Sequence, residues 1–113
     1  MAQKQRPGAD DGDTGVVTET KKKEKLAKPP LFRVLFHNDN YTTMEFVVLV
    51  LRDIFNKSES DAVSIMLNVH VNGYGVAGVY TYDVAETKVS KTHALAKQHE
   101  FPLKLTIEPE DNA

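Results

Sequence analysis

The sequence predicts an α+β domain of order β-α-α-β-α-β, a three-stranded sheet with helices packed on one face. Three observations predict it. Strand-like apolar runs open, interrupt and close residues 31–107. Between them lie two stretches with helical apolar spacing and a third opened by a capping pair, and turn or capping residues punctuate the junctions. All nine aromatic residues lie after position 30, while the first thirty residues carry half the basic side chains and almost nothing large and apolar. Residues 1–28 therefore read as a disordered arm that cannot offset its ordering entropy by burial, and residues 29–113 as the domain. The Pro29-Pro30 pair stiffens the junction.

Leu31-Phe32-Arg33-Val34-Leu35-Phe36 has strand composition and ends at the turn formers Asn38-Asp39-Asn40. Thr42 stands three residues before Glu45, a capping-box pattern that predicts a helix over 44–55 with Val47, Val50, Leu51 and Ile54 on one face. Its polar residues are Glu45, Arg52 and Asp53, so most of its circumference must be covered or must bind something. Ser58 with Asp61 marks a second N-cap. Ala62, Ile65, Met66 and Val69 follow at i, i+3, i+4 and i+7 before Asn72-Gly73 ends the helix, which carries His70. Residues 76–82 mix β-branched and aromatic side chains with small ones, a strand, and Asp83 with Glu86 forms a capping pair for a third helix reaching about His99. Pro102 blocks further helix, and residues 103–107 alternate as a half-buried last strand.

Composition excludes several classes of function. Without cysteine there is no disulfide framework, thiolate zinc site or thiol nucleophile. Fourteen basic against sixteen acidic residues leave a net charge of -2, which gives no global attraction to nucleic acid. The split is uneven: seven basic and five acidic residues over 1–30 give +2, and seven and eleven over 31–113 give -4. The longest dense apolar stretch, residues 46–51, is far too short for a bilayer, and the N-terminus lacks a charged-then-apolar leader, so the expectation is a cytoplasmic protein without a membrane partner. Hydrolase, zincin and phosphate-loop signatures are absent, so neither an enzyme nor a cofactor or metal is expected.

Two features carry binding chemistry. The run 38–44 gathers side-chain acceptors directly ahead of a helix N-terminus, and His70 lies one step off an apolar helical stripe. Each also has an ordinary reading: a turn plus cap for the first, a satisfied boundary residue for the second.

The same residues carry a resemblance. NDNYTTMEFV over 38–47, MLNVH over 66–70, AETK over 85–88 and FPL over 101–103 closely resemble the ClpS family, adaptors of ATP-dependent Clp proteases, and the likeness spans residues 30–108. It implies a reader of N-degrons, substrates whose free N-terminal residue is Leu, Phe, Tyr or Trp. It sets the substrate's α-amino group against Asn38 and His70, with a third, water-mediated contact at Asn40. It lines the pocket for the first side chain with Phe36, Thr42, Met44, Val47, Met66, Val69 and Leu103. It docks a surface around Asp83, Glu86 and Lys88 on the N-terminal domain of a Clp AAA+ unfoldase, whose pore the arm enters; a monomer is expected. Two departures stand out. Asn40 replaces a second acid, leaving Asp39 as the nearby carboxylate of that segment, and His37 stands where an aliphatic residue is usual, which would make recognition modestly pH dependent. Two other classes remain: a docking module resembling a ribosomal stalk domain, and an enzyme or metal site using His37, Asp39 and His70.

Overall fold

The structure, a computed structural model, describes residues 28–110. Residues 1–27 of the predicted arm and the last three residues of the domain lie outside the described residues. The element order is β1 (Phe32–His37), α1 (Met44–Asp53), α2 (Glu59–Asn72), β2 (Tyr74–Tyr80), α3 (Tyr82–Gln98) and β3 (Lys104–Pro109). This is the predicted order.

β1 is the middle strand of a three-stranded antiparallel sheet of order β2-β1-β3. Its alternation decides the two faces. Val34 and Phe36 point into the core, fully buried against residues of all three helices, including Val50, Leu51, Ala62 and Ala85. Arg33, Leu35 and His37 take the opposite face, where Arg33 pairs with Glu108 at 3.3 Å and the His37 ring is hydrogen-bonded with the Thr106 hydroxyl at 2.8 Å. Leu35 is nonetheless 6% exposed, because its cross-strand partners Val76 and Thr106 flank it.

Helix starts follow local chemistry, with two corrections. Thr43, not Thr42, caps α1: its hydroxyl accepts from the Phe46 amide at 3.1 Å. Ser58 caps α2 as expected, accepting from the Asp61 amide at 3.2 Å. Asp83 and Glu86 do not cap α3, which begins two residues earlier behind Thr81 with no side-chain cap bond. β2 accordingly runs Tyr74–Tyr80 instead of 76–82. At the far end α3 stops before Pro102 acts, where Glu100 adopts φ 60° and the Phe101 amide donates back to the Ala96 carbonyl at 2.9 Å.

Gly73 makes the connection that matters for the site. With φ 94° it closes α2 in the left-handed region, donates to the Val69 carbonyl at 3.0 Å, and hands the chain directly to β2. Gly75 then lets α2 lie close to the sheet, since a Cβ there would stand 2.9 Å from a Val69 methyl. Gly73→Ala is expected to lower the unfolding free energy by about 1–2 kcal/mol, the cost of a left-handed L-residue. Urea denaturation with an unchanged m-value would show it.

Candidate functional site

The chain leaving β1 is drawn toward the exit of α2 by one hydrogen bond, from the Asn38 amide to the Gly73 carbonyl at 2.9 Å. The loop behind it is held from within. One carboxylate oxygen of Asp39 accepts from the Tyr41 and Thr42 amides at 2.8 and 2.7 Å, and the other accepts from the Thr42 hydroxyl at 2.8 Å. Burial acts to raise the Asp39 carboxyl pKa, but these three hydrogen bonds outweigh it and hold the group below its ordinary 3.8. Thr42 is thereby committed to the loop and not to the helix.

The result is a cleft of about 520 Å³ between this loop, the first turns of α1 and the last two turns of α2. Nine of the side chains named from the sequence meet there: Asn38, Asp39, Asn40, Thr42, Met44, Val47, Met66, Val69 and His70. Their burial is graded. Val47 and Val69 are buried and form the floor, Thr42, Asp39 and Met66 are half-buried, and Asn38, Asn40, Met44 and His70 are exposed at the rim. An apolar floor beneath exposed neutral acceptors suits a ligand with one apolar group and one group rich in donors. Tyr41, Thr43 and Glu45 also line the cleft and were not singled out from sequence as site residues. Glu45 was legible only as a helix-start acid.

Phe36 and Leu103 are not brought to these walls. Phe36 has no exposed surface and packs edge-on against Phe55, at 5.4 Å between ring centres. Leu103 is buried in the core and reaches a separate shallow hollow beside Tyr41, Phe101 and Pro102. His37 turns away as well, to Thr106 on the open face of the sheet, which removes the basis for a pH effect beside the pocket. Among the described residues no group of three or more His, Asp or Glu side chains could hold a metal ion.

A second hollow of about 500 Å³ lies at the other end of α1, between its last turn and the start of α3. Size does not separate the two cavities; lining chemistry does. This one is mixed in charge, with Asp53, Asp83, Lys88 and Lys91, whereas Glu86 is exposed nearby without lining it. Lys88 is anchored: its ammonium donates to the Ile54 carbonyl at 2.7 Å and lies 5.7 and 5.4 Å from the Phe55 and Tyr80 ring centres. It thus caps the carboxyl end of α1 while tying it to α3.

Comparison with known proteins places this architecture. The family model for the ATP-dependent Clp protease adaptor protein ClpS matches residues 27–106. The chain belongs to the ClpS family. The ClpS adapter of Myxococcus xanthus is 60% identical over 111 residues, covering 98% of this chain and 99% of its own. That of Desulfatibacillum aliphaticivorans is 56% identical over 104 residues, covering 92% and 96%. Among solved structures, Agrobacterium tumefaciens ClpS2 bound to L-phenylalaninamide superposes with a TM-score of 0.71 at 41% identity, covering 74% of this chain and all of that one. The ClpS fold, like the chain described here, is an adaptor scaffold of Clp proteases, and none of the described helices is long and apolar enough to cross a membrane.

The Asp39 loop yields a pH signature. A carboxyl whose folded pKa is depressed contributes stability that is present above its unfolded pKa and lost as pH falls through the folded value. Asp39→Ala should therefore destabilise the domain by about 1 kcal/mol or more at pH 7. The difference from wild type should narrow below about pH 4. Urea melts at pH 7 and pH 3 check both statements.

Proposed function

We propose that this ClpS-family chain is a cytoplasmic, non-enzymatic adaptor that binds the free N-terminal residue of proteins beginning with Leu, Phe, Tyr or Trp and delivers them to a Clp AAA+ unfoldase. The observation that carries the reading is the cleft's combination of exposed hydrogen-bonding side chains, Asn38 and His70, over an apolar floor of Val47 and Val69 between two methionines. The ligand of the Agrobacterium tumefaciens relative supports it. L-phenylalaninamide is one residue with a free α-amino group, an aromatic side chain, and an amide where the next peptide bond would begin.

An α-amino group has a pKa of about 7.7–8.0 and is largely ammonium at neutral pH, so it brings three donors that need acceptors once desolvated. In this reading the Asn38 side-chain carbonyl and a neutral His70 ring nitrogen accept two of them, and Asn40 accepts the third through water. Acetylation would remove the charge and two donors, and a preceding residue would occupy the same space. The first side chain descends between Met44 and Met66, whose flexible thioethers fit both branched Leu and flat aromatic rings. Its burial contributes about 1.5–3 kcal/mol. Met44 crowds the β-carbon and disfavours Ile and Val. Phe36 and Leu103 act from the core against which these walls pack.

Delivery uses the second hollow. Asp83 and Glu86, exposed at the start of α3, with Lys88 beside them, dock on the N-terminal domain of the unfoldase, while residues 1–28 lead into its pore and residues 29–113 form the adaptor domain.

Fluorescence anisotropy with labelled ten-residue peptides tests the cleft. Binding at micromolar or lower Kd is expected for Leu, Phe, Tyr and Trp N-termini, and none for Ile, Arg or acetyl-Leu. His70→Ala and Asn38→Ala should each cost more than about 1 kcal/mol of affinity without unfolding the domain. Wild-type affinity in a folded His70→Ala variant would remove its assigned role. For delivery, Asp83→Lys is expected to weaken co-purification with the unfoldase N-terminal domain at unchanged thermal stability. Lys88→Ala should weaken it and also lower the melting temperature, because the Ile54 carbonyl loses its donor.

A further inference from the structure

The two edges of the sheet are protected unequally. Alternate residues of an edge strand turn their amides away from the neighbouring strand. On β3 the Glu110 amide points inward, to the Leu31 carbonyl, so Leu105, Ile107 and Pro109 face outward. Leu105 donates to the His93 ring at 3.1 Å and Pro109 has no amide hydrogen, which leaves Ile107 alone. β2, whose single strand neighbour is β1, lacks such cover. Arg33, Leu35 and His37 turn their backbone groups to β3, so their partners on β2, Val79, Val76 and Tyr74, turn theirs outward.

Both faces beside that edge are apolar. The side chains of Tyr74, Val76 and Val79 are exposed on the open face of the sheet. On the helix face, α2 gives Met66, Val69 and His70 to the cleft and lies on Gly75 through Ile65, Asn68 and Val69. Its remaining flank, with exposed Leu67 and the 74% exposed Val71, is therefore turned away from the cleft.

We propose that the outer edge of β2 is a strand-addition site and that its occupant is the chain's own residues 14–20, Thr-Gly-Val-Val-Thr-Glu-Thr. Five of these seven residues are β-branched, and Val16 and Val17 are the only valines in the first thirty residues. As neighbours on a strand they point to opposite faces, one toward Leu67 and Val71 and the other toward Val76. The edge is within reach, because the arm joins the domain just ahead of β1, whose first residue pairs with Tyr80, the last of β2. Residues 21–28 extend to about 26 Å, against about 10 Å for two strand spacings. So short a tether keeps the segment at millimolar effective concentration. Ordering it offsets most of what two valines and a short ladder gain, so the contact opens readily. The contact is independent of the cleft reading; in the delivery reading it is released when the unfoldase takes the arm.

The chain has no cysteine, so Asp13→Cys carries a single nitroxide beside the segment. In NMR spectra of this full-length chain the label should broaden the amides of Tyr74, Val76 and Val79 more than those of Leu105 and Ile107 on the opposite edge. Adding Val16→Asp and Val17→Pro should abolish that preference. Without the label, the same two substitutions should speed hydrogen exchange of the three β2 amides by about twofold to tenfold while Ile107 exchanges as before. Equal broadening of both edges, or exchange that the substitutions leave unchanged, would overturn the proposal. Broadening carried from labelled chains to separate isotope-labelled chains would assign the edge to a second copy and overturn it equally.

Discussion

One hydrogen bond, from the Asn38 amide to the Gly73 carbonyl, joins the two chain segments between which the cleft opens. It extends the β1–β2 ladder by one step beyond the strands. β1 is bonded on both sides, which fixes where it ends, and Gly73 fixes where α2 ends by taking a conformation that few other residues tolerate. The rim residues Asn38 and His70 therefore inherit their relative position from regular structure at both ends, although one of them sits in a loop. The loop itself adds rigidity through Asp39, whose three hydrogen bonds absorb a carboxylate that would otherwise face the cleft free.

α1 connects the two cavities. Its first turns supply Met44, Glu45 and Val47 to the cleft, and its last turn supplies Asp53, followed by Ile54, to the mixed-charge hollow beside α3. Ten helical residues rise about 15 Å, so occupants of the two hollows are separated by roughly one helix length. Val50 and Leu51 between them are fully buried, and Lys88 holds the far end by its bond to Ile54. In the proposed reading this separation lets the ligand and the protease partner be held together without competing for surface.

Most of this was legible from the sequence because the relevant signals are local. Apolar spacing placed the first two helices, Ser58 and Gly73 set the ends of α2, and the acceptor-rich run 38–44 marked the cleft. What escaped depends on contacts between distant residues or on competition between neighbours. Thr42 and Thr43 are indistinguishable as caps until Asp39 claims the hydroxyl of Thr42. Tyr74 begins β2 because Gly73 turns the chain without a loop, whereas turn residues in a sequence ordinarily announce a longer connection. The bond from Lys88 to Ile54 spans 34 positions and no pattern foretells it. Phe36 and Leu103 are named with the cleft through the family resemblance alone, and no residue pattern in the sequence says which side of the packed layer either one faces.

The neutrality of the rim has a physical logic within the proposed reading. A carboxylate placed directly against an ammonium would form an ion pair whose desolvation offsets much of its Coulomb gain, and it would attract any cationic side chain that reached it. Neutral acceptors demand geometry instead: an amide oxygen and an imidazole nitrogen reward a donor-rich group only when it arrives at their positions with an apolar side chain already seated below. Asn40 in place of an acid moves the balance further in that direction. Recognition in that reading rests on shape and hydrogen bonding at the rim.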